Sequence, residues 1–100
     1  MSLFRRRPPR LDDPTVVGLM DRAANDLDYG AVKELHALFG NVASADTFWV
    51  WWIDQCKALA LAGKRDVAHL GIAFARKANV APFPGHTEET YDRMREVEQM

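Results

Sequence analysis

Apolar residues recur along this chain at the spacing of an α-helix, in segments separated by glycine, proline or capping residues. From Asp13 onward, apolar side chains stand three and four positions apart, which places them on one side of a helix. The pattern predicts four main helices, followed by a terminal helix with a thinner apolar stripe. Their expected bounds are residues 14–28, 31–39, 45–62, 66–78 and 87–98.

The ends of these helices are predicted from capping and turn residues. Asp13 offers an N-cap, and Pro14 suits the first helical position because its missing N–H would be unpaired there anyway. Gly40 is expected to end the second helix in a left-handed conformation, and Gly63 to follow the third helix. The N-caps expected for the third, fourth and last helices are Ser44 or Asp46, Asp66 and Thr87.

The third helix contains all three tryptophans, in the segment DTFWVWWIDQC. At about 100° per residue, Trp49 and Trp52 fall on one broad apolar stripe, whereas Trp51 points to another side, with Ala58 and Ala62. A helix that is apolar over most of its circumference is normally buried, so we expect it to be the central helix of a bundle. Trp51 has two interpretations, a core residue or a partner contact, since protein interfaces are enriched in tryptophan.

The fourth helix carries small residues at helical spacing. Ala68, Gly71 and Ala75 lie alongside one another, so a neighbouring helix can approach closely and fill the space with a large aromatic side chain. We expect the helix to continue through Gly71, although glycine costs about 1 kcal/mol relative to alanine there. The segment 79–86 has two prolines and a glycine and should be a loop, which Phe83 pins to the core.

The length and composition set the fold class. One hundred residues can form one hydrophobic core but not two independent ones, and 48% hydrophobic with 27% charged residues is ordinary globular usage. We therefore predict an all-α protein, a small bundle of four main helices with a lighter C-terminal helix, in a single domain over residues 14–100. Residues 1–13 are expected to form a flexible basic arm, because Pro8 and Pro9 favour extended backbone.

Charge and hydropathy exclude several classes of protein. A formal net charge of −1 does not suit the whole chain to nucleic acid or acidic membranes, so such binding would have to be local. The acids that follow the N-terminal arginines leave no apolar region for a signal peptide. The longest apolar run, residues 48–53, is too short for a transmembrane helix of about 20 residues. The single cysteine fits a reducing cytosol, so we expect a cytoplasmic protein without a membrane span.

Candidate chemistry is sparse. His36, His69 and His86 lack the i+3 or i+4 histidine pair that helical metal sites usually show, so no metal ion or other cofactor is expected. Cys56 falls in mid-helix on the aromatic stripe, so we expect it to be a small core residue rather than an activated thiol. Phosphate-binding, dinucleotide-binding and nucleophile fingerprints do not occur either. We therefore expect no enzymatic activity and assign no catalytic residue.

These observations favour a non-enzymatic protein–protein interaction module, an adaptor or assembly component that binds another protein or itself as a homo-oligomer. The expected partner contacts are Trp51 and the stripe of the last helix, Tyr91, Met94 and Val97, a helix expected to pack lightly on the bundle. The alternative is a small nucleic-acid-binding regulator whose arm neutralises phosphates. Its candidate residues are Arg5, Arg6, Arg7 and Arg10, with Lys64, Arg65, Arg76 and Lys77 extending the patch.

Overall fold

The computed structural model describes residues 8–100, and in this part of the chain it contains helices and no strand. The predicted all-α fold, with four main helices and a C-terminal helix, is confirmed. Within these residues, no helix has both the length and the apolar character needed to cross a membrane. The helices are Pro14–Asn25 (α1), Tyr29–Phe39 (α2), Phe48–Leu61 (α3), Arg65–Lys77 (α4) and Glu88–Glu98 (α5).

The helix with the most neighbours is α4, not α3. It packs against α1, α3 and α5, whereas α3 packs against α4 and α5, and α2 packs against α1. The prediction that the tryptophan helix is central is therefore wrong at the level of the backbone. The reason lies in side-chain size, because the small residues of α4 let three helices approach it closely, while α3 reaches the core through long aromatic side chains.

The core is formed around Trp52, which is 0% exposed. Its indole Nε1 donates a hydrogen bond to the Gly71 carbonyl oxygen at 3.0 Å. The rings of Phe39 and Phe74 each lie 5.2 Å from the Trp52 ring, so the side chains of α2, α3 and α4 meet at this point. Other fully buried side chains include Met20, Leu35, Ile53, Ile72, Met94 and Val97.

The contact between α3 and α4 depends on small residues. Ala68 and Ala75 are fully buried, and α4 runs through Gly71 without a break. A Cβ atom placed on Gly71 would lie only 2.6 Å from the Cys56 Sγ atom. The predicted close approach of a helix that carries a large aromatic side chain is confirmed, and the aromatic residue is Trp52.

Two of the expected N-caps are confirmed. The Asp13 carboxylate accepts a hydrogen bond from the Thr15 backbone N–H at 2.9 Å. At the start of α5, the Thr87 hydroxyl accepts from the Thr90 backbone N–H at 3.2 Å, and the Thr87 backbone N–H donates to Thr90 Oγ1 at 2.8 Å. These side chains satisfy backbone N–H groups that have no partner within the helix.

The caps expected for α3 and α4 are wrong. Helix α3 begins after Thr47 rather than after Ser44 or Asp46, and Thr47 makes no side-chain capping bond. The Ser44 hydroxyl instead lies 2.8 Å from Thr47 Oγ1, so it is used in the turn before the helix. Helix α4 begins after Lys64 and takes Asp66 into its first turn, where a negative charge interacts favourably with the helix dipole.

The turns between helices depart from the expectation at two places. Helix α1 ends at Asn25, because Asp28 caps α2 by accepting from two backbone N–H groups and Leu27 turns the chain with φ of 53°. Gly40 has φ of −59°, an ordinary right-handed conformation, so the left-handed cap predicted there is wrong. Gly63 follows α3, as predicted, and has φ of 87°, a conformation that favours glycine.

The packed structure begins before α1. Leu11 is 4% exposed and belongs to the hydrophobic core. The Asp13 backbone N–H donates to the Arg10 carbonyl oxygen at 3.0 Å, which forms a turn ahead of the helix. Leu11, which is buried, and Asp12, which pairs with Lys64, are thus held against the bundle although they were expected to belong to the flexible arm. Its remaining part, residues 1–7, lies outside the described residues.

Candidate partner-binding groove

An open groove with a volume of about 380 Å³ runs between residues 8–12 and one face of α3. The N-terminal segment forms its wall with Pro8, Pro9, Arg10, Leu11 and Asp12. Helix α3 and its C-cap residue form the floor, with Trp51, Gln55, Ala58 and Leu59 from the helix and Ala62 from the cap.

The floor of the groove follows from residue spacing in α3. Trp51, Gln55, Ala58 and Ala62 stand at i, i+4, i+7 and i+11, so they project from one side of the helix. The two alanines that continue the row carry only methyl groups, so little side-chain volume stands beside Trp51 along the floor. The predicted grouping of Trp51 with Gln55, Ala58 and Ala62 is confirmed.

Trp51 is half-buried, between the two interpretations given by its sequence position. On the core side, its ring lies 6.1 Å from the ring of Phe39 and 6.1 Å from that of Phe48. The remaining surface of the indole faces the groove. By contrast, Trp49 and Trp52 are buried, and the indole of Trp49 donates to the Pro84 carbonyl oxygen at 2.7 Å. Trp51 is therefore a fixed aromatic surface with one accessible side.

The wall of the groove is held by one carboxylate. Asp12 Oδ2 accepts a hydrogen bond from Lys64 Nζ at 2.5 Å, and Asp12 Oδ1 accepts one from Arg10 Nε at 3.0 Å. These hydrogen bonds lower the pKa of Asp12, with Lys64 as the larger cause. This wall was not predicted, and the one signal for it in the sequence is Leu11, an apolar residue two positions ahead of the N-cap Asp13.

The rim of the groove is positively charged. The Arg10 side chain is 80% exposed, and Lys64 also remains partly accessible beside it. Asp12 is the only carboxylate among the side chains that line the groove, and it is already paired with both cations. Lys64 does not line the groove but adjoins it through Asp12, so the two cations and the one carboxylate leave a single net positive charge beside a largely apolar floor.

The predicted contacts on α5 have a different place in the structure. Met94 is 0% and Val97 is 1% exposed, because the apolar stripe of α5 packs against α3 and α4. Neither side chain is accessible to a partner while α5 is packed, so both are corrected from candidate contacts to core residues. Tyr91 is half-buried, with its ring 5.1 Å from that of His86.

Among residues 8–100, the cations considered for nucleic-acid binding lie in separate places. Arg10 and Lys64 lie together at the groove, and Arg5, Arg6 and Arg7 are outside the described residues. Arg76 and Lys77 lie at the other end of α4, about 18 Å away at 1.5 Å per residue. Arg76 is moreover paired with Glu98 through hydrogen bonds of 2.7 and 2.6 Å.

Cys56 and the histidines add no second site. Burial raises the pKa of the Cys56 thiol to about 12, which fits the predicted core role. His36 packs edge-on against Phe83, with ring centroids 5.2 Å apart, and His69 is exposed. Within residues 8–100, no group of three or more histidine, cysteine or acidic side chains is placed to hold a metal ion.

His86 fixes the loop before α5. Its Nε2 atom donates to the Ala75 carbonyl oxygen at 2.6 Å, and its ring lies 4.6 Å from that of Trp49. Burial lowers the pKa of His86, and the nearby charge of Arg76 contributes in the same direction. The neutral imidazole is therefore the form that the folded protein favours.

This preference predicts a loss of stability in mild acid. The unfolded chain has the ordinary histidine pKa of about 6.5 and so binds the proton more readily than the folded state. The contribution of His86 to the free energy of unfolding is therefore fully present above about pH 6.5. It is lost as the pH falls through the lowered pKa of His86. The midpoint of urea unfolding should fall as the pH is lowered from 8 to 5. In His86→Gln the midpoint should depend less on pH. Substitution of the exposed His69 by glutamine is the control, and an equal flattening there would contradict the assignment.

Comparison with protein-family models, with curated proteins and with solved structures found no match.

Proposed function

We propose that this chain is a non-enzymatic protein–protein interaction module, an adaptor or assembly component that binds a segment of another protein in the groove beside Trp51. The observation that carries the proposal is the position of this residue. Trp49 and Trp52 are buried in the core, whereas Trp51 is fixed against it and opens onto a groove. Tryptophan in a partly enclosed pocket is typical of the residues that dominate binding energy in protein interfaces.

The structure around Trp51 is favourable for binding because it is already ordered. The indole is supported by the rings of Phe39 and Phe48, and the wall is held by the two hydrogen bonds to Asp12. The free-energy cost of ordering the site when a ligand binds should therefore be small. We place the module in the cytoplasm, where a single unpaired cysteine is ordinary.

A peptide selection tests the groove directly. A displayed library of random 16-residue peptides is selected on the immobilised protein, and enriched peptides are then measured against Trp51→Ala. Loss of a central interface tryptophan typically costs about 2 kcal/mol or more, so binding should weaken at least about 30-fold. Fluorescence anisotropy of the labelled peptides gives the dissociation constants.

Two further variants make the selection decisive. Ala58→Glu fills the floor without removing an aromatic ring, and it should also abolish binding because Ala58 is exposed in the groove. Leu61→Ala is the matched control, since Leu61 is on the same helix, is 71% exposed and does not line the groove. Peptides that bind the Trp51 and Ala58 variants as tightly as the unchanged protein would overturn the proposal.

The alternative function, binding of nucleic acid through the arginine arm, is supported by the location of Arg10 and Lys64 together on the exposed rim. The salt dependence of binding distinguishes the two functions. Phosphate binding weakens steeply as the salt concentration rises, whereas an apolar contact does not. Light scattering at low and high salt, with a check for bound nucleic acid, measures this. A nucleic-acid complex stripped by salt supports the alternative, and a discrete oligomer that persists in salt supports assembly.

A further inference from the structure

We propose that the groove receives an amphipathic helix of the partner protein, with acidic residues beside its apolar stripe. This inference rests on the proposed function and adds the chemistry of the partner. Two independent features of the groove lead to it, the spacing of its floor and the charge of its rim.

The floor of the groove has the spacing by which helices pack side by side. Trp51, Gln55, Ala58 and Ala62 repeat at intervals of four, three and four residues, which is the seam that one helix presents to another. From Trp51 to Ala62 the seam is about 16 Å long, or roughly three turns. The methyl groups of the two alanines leave room for larger apolar side chains of a partner helix, laid against the indole.

The charge of the rim determines which charge on the partner helix is favourable. The exposed guanidinium of Arg10 and the partly exposed ammonium of Lys64 lie beside the apolar floor, while the Asp12 carboxylate between them is already bonded to both. A carboxylate at the edge of the partner's stripe gains attraction there, and a lysine is repelled.

The peptide library provides the test of this chemistry. Peptides whose binding depends on Trp51 should carry apolar residues three and four positions apart, with more aspartate and glutamate than the unselected library. A proline placed in the middle of the strongest peptide should weaken its binding roughly 100-fold, because it breaks a helix. Arg10→Glu should weaken binding about five-fold, as expected for an exposed charge contact.

Lys77→Glu is the matched control for charge. It changes the net charge by the same amount as Arg10→Glu, at the far end of α4, and should leave binding unchanged. Circular dichroism confirms that both variants are folded.

The outcomes separate this inference from the proposed function. Trp51-dependent peptides that lack an acidic excess, tolerate the proline or respond equally to both charge reversals would overturn the acidic helix and leave the docking groove in place. A selection that yields no Trp51-dependent peptide would overturn both.

Discussion

Trp52→Ala should lower the free energy of unfolding by about 3–5 kcal/mol, the usual cost of removing a large aromatic side chain from a core. Trp52 is fully buried between Phe39 and Phe74, so removing its ring leaves a large cavity in a closely packed core. Because small domains are stable by only about 5–15 kcal/mol, the variant should be close to unfolded in moderate urea. Urea unfolding followed by circular dichroism measures the loss.

Two companion variants divide this effect into its causes. Trp52→Phe keeps a ring in the core but removes the indole N–H that donates to Gly71, so its cost should be smaller than that of alanine. Trp51→Ala should cost clearly less than Trp52→Ala, because Trp51 is only half-buried. Equal losses from the two alanine variants would show that Trp51 is a core residue, and the docking groove would lose its main support.

The all-α fold could be predicted because the signals that specify it are local. Apolar spacing marked each helix, and Asp13 and Thr87 were recognisable as caps since the bonds they make lie within three residues. The predicted caps were wrong where several residues could serve as the cap. Three polar residues before α3 compete for the same role, and Thr47 takes the position although it makes no side-chain capping bond.

The floor of the groove could be predicted from the sequence, but its wall could not. Its floor belongs to one helix, so the sequence placed Trp51 with Ala58 and Ala62. Its wall depends on Asp12 meeting Lys64 across 52 positions of the chain, and helical periodicity carries no information about such a pair. For the same reason Met94 and Val97 could be recognised as an apolar stripe, whereas the surface that covers them, supplied by α3 and α4, could not.

The packing of α3 on α4 explains why Gly71→Ala should be destabilising although alanine is the better helix former. The added Cβ atom would lie 2.6 Å from Cys56 Sγ, a distance at which either the short Cys56 side chain or one of the two helices has to shift. Overpacking of this kind costs about 1–3 kcal/mol, which exceeds the gain of about 1 kcal/mol in helix propensity. The loss should appear as a lower urea midpoint with an unchanged slope.

A double-mutant cycle with Cys56→Ala identifies the clash as the cause. Removing the sulfur opens the space that the new methyl group needs, so the double variant should be more stable than the sum of the two single losses implies. Gly18→Ala on α1 is the matched control, because a Cβ there meets nothing within 4 Å, and it should leave stability equal or raised by up to about 1 kcal/mol. If Gly71→Ala behaved like Gly18→Ala, α3 and α4 could separate without cost. The close contact between α3 and α4 would then not be what holds α3, and with it Trp51, in position at the groove.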